Sequence, residues 1–497
     1  MSATPLQTPL RVGEIFRRNA RVVPNEVAAS LGDELLTHAA LDQAGNRLAW
    51  ALRELGVRHG DRVVCWAGTS LPVLPLFVAL AKLGAVFAPL SAQLGRDEAT
   101  GLVRLARPVL LVSDPQRDAD AASIADAVGV RHRSLAEEPG LDVSSEEPLE
   151  PSLRETDPHV LFFTSGSTGL PKGVVLSHRA NYLRSFQGVF RDVPERSVCM
   201  FPLFHMAAFT LALAAWQTRG EIALVPVASA EEILGAVERR RANRLYCIPA
   251  VWSRILDTEP GRFDTSSLRE LDTGTSATPM ELIRALKERF PATSTRIYYG
   301  STEVGSATTL PDADVLRKPG SVGPPSPGVD IQLSEAGEIC VRSAYLMDEY
   351  FDDPDATAAA LNGGWFHTGD LGALDDEGYL SIVGRLKEII RTGGESVAPS
   401  EVEAVLASHP AVSEVAVVGI PDPDWGEIVC AAVVPGSGAA PTLADLRAHC
   451  EGRLAGFKRP RRLERVDALP RTAATGQVQR TLLVEQIASG TLSAERS

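Results

Sequence analysis

No two of the six cysteines stand close enough to form a C-x-x-C pair: Cys65, Cys199, Cys247, Cys340, Cys430 and Cys450 are scattered along 497 residues. That spacing fits neither a disulfide scaffold nor a zinc site and predicts buried thiols in a reducing cytosol. Basic residues are in deficit, 49 Lys and Arg against 63 Asp and Glu, for a formal net charge of -14. A protein whose main partner is nucleic acid needs a basic face for phosphates, so that class is disfavoured. The N-terminal stretch MSATPLQTPLRVGEIFRRNA lacks the apolar core of a signal peptide, and a cytoplasmic protein is expected. The most apolar stretch, residues 72–90, is broken by Pro75, Lys82, Gly84 and Pro89, so no spanning helix is predicted. Low-complexity tracts and internal repeats are also missing, the 41 glycines and 34 prolines being spread along the chain.

What is present suits a large multidomain enzyme. The length and a hydrophobic content of 44% allow more than one core and suggest roughly three units. The acidity is uneven: residues 387–497 hold 12 Lys and Arg against 14 Asp and Glu, leaving most of the negative charge to the first 386. An anionic cofactor is repelled less by the C-terminal segment.

Residues 37–55 place Leu41, Leu48, Ala51, Leu52 and Leu55 at helical spacing, with Thr37 as N-cap and Gly56 past the end. DRVVCWAG, the helical LFVALAKLG, AVFAPLS and PVLLVSD then alternate strand and helix patterns, which predicts parallel sheets covered by helices. The style changes near residue 384. DEGYLSIVGR before it reads as a hairpin on a glycine turn; after it, 399–406 reads as a helix, and VSEVAVVGI and EIVCAAVV as two strands around PDPDWG. The domain boundary is placed between Leu386 and Lys387.

The strongest chemical signal is LFFTSGSTGLPKGVV, residues 161–175, an apolar strand running into Thr164, Ser165, Gly166, Ser167, Thr168, Gly169 and then Lys172. Glycines let backbone approach a polyphosphate, hydroxyls and N–H groups bond its oxygens, and the ammonium offsets its charge. A polar surface turn is the bland alternative. It is not a Walker A loop, since G-K-[ST] is missing. TSGSTGLPKG resembles the phosphate loop of the adenylate-forming superfamily: acyl-CoA synthetases, firefly luciferases and nonribosomal adenylation domains.

The resemblance runs from about residue 10 to 485, with further motifs in family order. Tyr298, Tyr299, Gly300, Ser301, Thr302 and Glu303 are similar to the aromatic-G-x-T-E element. The resemblance implies that Tyr299 stacks on adenine, Thr302 contacts the α-phosphate, and Glu303, with Thr168, holds Mg²⁺. Standing alone, such a tyrosine is more often packing. GWFHTGD and Gly384-Arg385 resemble the ribose-binding pair, with Asp370 accepting from both hydroxyls and Arg385 beside it. Gly274, Thr275, Ser276 and Ala277 align with the segment lining adenine and the acyl pocket; Ser276 and Ala277 depart from the usual Ala-Pro. His205, in FPLFH, matches the element that closes over the carboxylate, although alone it reads as a core histidine. Phe209, Trp216 and Trp252 are candidates for pocket wall or core.

Beyond the boundary, Lys387 falls at the family's hinge, and RTGGESVAPSEVE, with Gly393, Gly394 and Glu395, resembles the glycine loop that lines the pantetheine channel. The run Phe457 to Arg462 is either a CoA-phosphate contact or a solvated face. One position departs. Where the family has a lysine bridging the substrate carboxylate and the α-phosphate, this chain has Gln477. Three readings stay open: an engineered substitution that slows adenylation, a mimic of acetylated lysine, or a natural replacement.

The implied architecture is a large N-terminal region, residues 1–386, of packed α/β sheets with a small β-barrel-like sheet, then a mobile α+β domain, residues 387–497. The implied enzyme is an acyl-CoA synthetase using ATP, Mg²⁺ and coenzyme A: it converts a carboxylic acid to acyl-AMP and passes the acyl group to the CoA thiol. Alternatives are a carrier-protein arm or another acceptor for the adenylate, and a nucleotide-binding relative disabled at Gln477. A kinase or simple ATPase is disfavoured by the missing motifs.

Overall fold

Thr37 ends the strand Glu34–Thr37 and caps the helix His38–Glu54, its hydroxyl accepting from the Ala40 N–H at 3.1 Å. Gly56 comes next in the left-handed region at φ 89°, as a helix stop requires. The helix buries Leu41, Leu48 and Leu52 and packs on the helix Val73–Leu83. Gly45 allows that approach, since a Cβ there would lie 2.4 Å from Val78 Cγ1. Lys82, which interrupts the apolar stretch, is buried but satisfied by Asp42 and Asn46, each at 2.6 Å.

The computed structural model describes residues 9–137, 143–148, 150–164, 171–186, 191–436, 438–472, 476–490 and 493–496. Contacts divide the chain into two units: Met1–Arg317 with Ser326–Val329 and Arg342–Phe366, and Lys318–Pro325 with Asp330–Val341 and His367–Ser497. This division precedes the change of pattern at 386/387, because much of the small sheet N-terminal to that change groups with the residues C-terminal to it.

The first unit holds two large sheets with parallel centres. One runs, in spatial order, Glu349–Tyr350, Lys172–Ser177, Pro158–Thr164, Val86–Leu90, Arg62–Trp66, Leu110–Ser113, Arg131–Ser134; it is parallel from Pro158–Thr164 onward and antiparallel before. The other runs Gly305–Leu310, Ser294–Ser301, Glu270–Gly274, Arg244–Tyr246, Arg196–Cys199, Glu221–Leu224, Val27–Leu31, Glu34–Thr37, with antiparallel strands only at its two edges. Buried throughout, the first sheet's central strands Val86–Leu90 and Leu110–Ser113 read as short apolar runs. Parallel strands also bring their C-terminal ends to one edge, where α/β sheets bind ligands. Cys199, Tyr246, Gly274 and Ser301 all end strands of the second sheet at that edge.

In the second unit, a small sheet is ordered Ser321–Gly323, Leu380–Arg385, Trp365–Leu374, Glu338–Ser343, Val329–Leu333. Its Trp365–Leu374 and Leu380–Arg385 strands form the expected hairpin, Gly378 turning at φ 80°. Farther on come the helix Pro399–Ala407 and the antiparallel pair Val412–Asp422 and Gly426–Pro435. Alternate residues of that pair feed two cores: Val417, Val429 and Val433 join Leu406 and Leu446, while Val418, Ile428 and Cys430 join Leu483 and Ile487. All six cysteines are free and buried, and no described helix is long and apolar enough to cross a membrane.

Candidate active site

The hairpin that carries the phosphate-loop motif joins Pro158–Thr164 to Lys172–Ser177, with Thr164 paired to Lys172. Ser165, Gly166, Ser167, Thr168 and Gly169 lie outside the described residues. A strand, not the helix of a Walker loop, succeeds the motif, and its first residue is the lysine. The strand Glu349–Tyr350 adds to it antiparallel, Tyr350 opposite Val174, and so lays the Tyr350 ring under Lys172: the ammonium stands 4.4 Å from the ring centroid.

Tyr350 reaches further. Its hydroxyl donates to Glu303 Oε1 at 3.2 Å, and Ser301 Oγ donates to Glu303 Oε2 at 2.7 Å. Burial, reinforced by the Glu303 carboxylate, pushes the Tyr350 hydroxyl well above its ordinary range, so it stays a neutral donor. The turn of Thr302 and Glu303 closes the hairpin Ser294–Ser301 to Gly305–Leu310. It is tight enough that a Cβ on Gly300 would lie 1.8 Å from the Gly305 carbonyl oxygen. Cation, neutral phenol and carboxylate thus form one continuous set from the phosphate-loop lysine to the acidic turn. Sequence reasoning missed Tyr350: it lies 47 residues beyond Glu303, and an aromatic before DDP carries no local signal.

Gly274 ends its strand opposite Tyr298, where a Cβ would lie 2.3 Å from the Tyr298 carbonyl oxygen, and Thr275 comes next in the left-handed region at φ 68°. Such strain in a non-glycine residue concentrates at functional loops. Tyr298 and Tyr299 alternate across the strand. Tyr298 packs 6.0 Å from Tyr246, with the Arg296 guanidinium 5.8 Å from its ring, and burial pushes its hydroxyl up to about 12. Behind these strands, Asp272 receives Arg244 at 2.5 Å and Arg296 at 2.8 Å, and Arg244 also reaches Glu195 at 3.0 Å. These buried charges fix the edge because each is paired.

His205 caps the helix Met206–Gln217, its ring nitrogen accepting from Ala207 N–H at 3.2 Å, and stacks on Phe201 at 5.6 Å. Burial lowers its pKa to about 4, so it is a neutral acceptor. Phe209, Trp216 and Trp252 are core: Phe209 stacks on Phe77, Trp216 donates to Ala28 O and Trp252 to Asp272 O.

In the second unit, Asp370 pairs across the hairpin with Arg385, Nε to Oδ1 3.0 Å. The turn before it is pinned by Glu338, which accepts from Gly369 N–H and meets His367 Nδ1, both at 2.9 Å. Lys387 lies in the short 3-10 turn Leu386–Glu388. Gly393 and Gly394, at φ 58° and 85°, make the two-residue turn between Ile390–Thr392 and Glu395–Val397. A Cβ on Gly393 would come within 2.8 Å of the Trp425 ring, over which Arg461 lies at 3.9 Å. The rest of the basic run is largely spent on carboxylates, Lys458 on Glu401, Arg459 on Glu451 and Arg462 on Glu464. The Gln477 carbonyl accepts from the Thr472 N–H at 2.8 Å, and Arg471 pairs with Glu414 at 2.7 Å.

For Mg²⁺, the chemistry of the donor set is suitable: Glu303 offers hard carboxylate oxygens, oriented by Ser301 and Tyr350, of the kind this ion takes alongside substrate phosphates.

The chain is similar to known proteins over nearly its whole length. The model of a family described as AMP-binding enzyme matches residues 16–351, and that of the AMP-binding enzyme C-terminal domain matches residues 401–475. Feruloyl-CoA synthase from an Amycolatopsis species is 35% identical over 484 residues, 93% of this chain and 97% of that protein. Indoleacetate–CoA ligase from Aromatoleum aromaticum is 34% identical, over 93% of this chain and 96% of its own. The crystal structure of ATP-bound MatB from Rhodopseudomonas palustris superposes with a TM-score of 0.87 at 29% identity, covering 95% of this chain and 98% of that one. With both family models matched in order and the likeness extending over nearly the whole of each relative, the chain belongs to the AMP-binding enzyme family and is one of its adenylate-forming ligases.

Proposed function

We propose that the chain joins a carboxylic acid to coenzyme A in two half-reactions. A carboxylate oxygen of the acid attacks the α-phosphorus of ATP, the bond to the β-phosphate oxygen breaks, and pyrophosphate leaves. The CoA sulfur then attacks the acyl carbon, AMP departs with the bridging oxygen, and the thiol proton passes to solvent. The observation that carries this reading is the meeting of Lys172 and Glu303 on Tyr350, which sets a cation over the ring and a carboxylate at the hydroxyl of one phenol side chain. Both partners of the first attack are anions, so a fixed ammonium lowers its barrier. Mg²⁺, when bound, supplies further neutralisation of phosphate charge, with Glu303 and Thr168 as its ligands. Asp370 holds the ribose, Tyr299 stacks on the base, and Thr275 with Ser276 borders the acyl site.

The acid is an aryl or arylalkyl acid. Phe201, Tyr246 and Tyr298 form an aromatic group beside Gly274, and feruloyl-CoA synthase and indoleacetate–CoA ligase are named for acids of this kind. CoA is the acceptor, reached past the Gly393–Gly394 turn, and a carrier-protein arm is the alternative. Residues 387–497 rotate about Lys387 between the half-reactions, in a cytoplasmic enzyme. Limited proteolysis near Lys387 tests the hinge: its rate should change with ATP plus acid, and indifference to every substrate counts against rotation. A pyrophosphate-release screen over aryl, medium-chain and long-chain acids, with and without CoA, tests the whole. In Lys172→Ala and Glu303→Ala, release should be lost while the ligand-free melt is unchanged. Normal release in either would sink the site.

A further inference from the structure

Arg184 lies on the helix His178–Ser185, C-terminal to the Lys172 strand, and its side chain is buried beneath the Thr302–Glu303 turn. Nη1 donates to the Thr302 carbonyl at 3.0 Å and Nη2 to the Tyr345 carbonyl at 2.5 Å. Space for the guanidinium comes from Gly305, at φ 69°, whose Cβ would stand 3.5 Å from Arg184 Nε and 3.3 Å from the Tyr345 ring. The Tyr345 hydroxyl in turn donates to Ser306 O at 3.1 Å.

This charge lacks the usual reason for being buried. Among the described residues no carboxylate comes within ion-pair distance of Arg184, and its Nε has no hydrogen-bond partner. Burial pulls its pKa down to about 10, so it stays charged at neutral pH, with Asp348 and Glu303 acting on it only at longer range. A buried cation bonded to carbonyls alone is expensive, and an apolar side chain of the same size would ordinarily serve packing as well. The missing counter-charge has a natural source in an anion arriving on the far side of the turn.

We propose that Arg184 is a positioning residue for ATP: by tying the carbonyls of Thr302 and Tyr345 together from below, it sets the Thr302 hydroxyl and the Glu303 carboxylate for the phosphates, whose negative charge completes its own pairing. This rests on the reading that the Thr302–Glu303 turn receives the nucleotide.

The test compares the full chain with Arg184→Met, Arg184→Lys and Glu303→Ala by calorimetric ATP binding, thermal melting and steady-state kinetics. Arg184→Met should melt near the parent, because methionine fills the space without a charge to bury. Its Kd and KM for ATP should nonetheless rise at least about tenfold, with kcat at saturating ATP falling less. Arg184→Lys keeps the charge but reaches only one carbonyl, and its affinity should fall between the two. Unchanged ATP affinity in whichever of the two variants folds overturns the proposal, as does a loss of stability with parent-like Kd in the folded fraction. Glu303→Ala separates the two layers. If it too binds ATP as the parent does, the assignment of the turn to the nucleotide fails; if it loses ATP while Arg184→Met keeps it, only the role of Arg184 fails.

Discussion

Lys172 holds its ammonium 4.4 Å over the ring of Tyr350, so among the described residues the cation of this motif is oriented by an aromatic face and not by a carboxylate. A salt bridge would neutralise the charge before substrate arrived, whereas the ring attracts it by its quadrupole and leaves it available. Tyr350→Phe keeps the ring and removes the hydrogen bond to Glu303, an interaction with a charged acceptor. Adenylation should slow about tenfold, equivalent to ~1.4 kcal/mol. Tyr350→Leu should slow it further by freeing Lys172 as well. Single-turnover pyrophosphate release measures both, and equal rates in Phe and Leu variants would remove the ring from the account.

Gln477 can hydrogen-bond developing negative charge but cannot neutralise it. Gln477→Lys should therefore raise adenylation at least about tenfold, asking only ~1.4 kcal/mol of the new charge. Acyl transfer from a supplied acyl-adenylate should scarcely change, since in the proposed mechanism a cation at this position serves only the step that joins two anions. If lysine leaves adenylation unchanged, glutamine is the native solution here; if it alters thiol transfer alone, the step is misassigned.

Gly393 is held in the left-handed region, and a Cβ added there would lie 2.8 Å from the Trp425 ring. Gly393→Ala introduces both backbone strain and a clash of the Cβ with the indole, at a cost of about 1–3 kcal/mol to the turn. Thiol transfer should fall while pyrophosphate exchange is retained, because only the second half-reaction runs past this turn in the proposed mechanism. A parallel fall in both steps would take the turn out of the CoA path.

His159 and His178 stack with ring centroids 4.5 Å apart inside the first unit. Burial holds both below their ordinary value, His178 down to about 3, and the neighbouring His178 pushes His159 lower still. A histidine depressed in the folded state stays neutral there but takes a proton when unfolded. Its stabilising contribution is complete above about pH 6.5, the ordinary value, and is lost progressively as pH falls toward the folded value. Urea midpoints should therefore drop from about pH 7 downward, and His159→Gln with His178→Gln should flatten that slope. Parallel slopes in parent and double variant would assign the acid sensitivity elsewhere.

The primary structure by itself determined the helix His38–Glu54, the alternation of strands and helices, the hairpin at Gly378 and the order of the nucleotide motifs. Each of these depends on spacing along the chain: a 3.6-residue stripe, a capping hydroxyl, a glycine where φ must be positive. Residue type singled out Lys172, and the resemblance to the adenylate-forming superfamily singled out Thr302 and Glu303. Only the tertiary structure decided that Lys172 and Glu303 meet on Tyr350, that Arg184 lies under Thr302 118 residues away, and that Trp216 and Trp252 are core. It likewise decided that the basic run near Lys458 is mostly paired and that Arg461 stacks on Trp425. The reason is physical. A side chain's role is set by what lies within a few ångströms of its polar atoms, and distant strands reach that range only when sheet pairing and core packing bring them there, which no local pattern encodes.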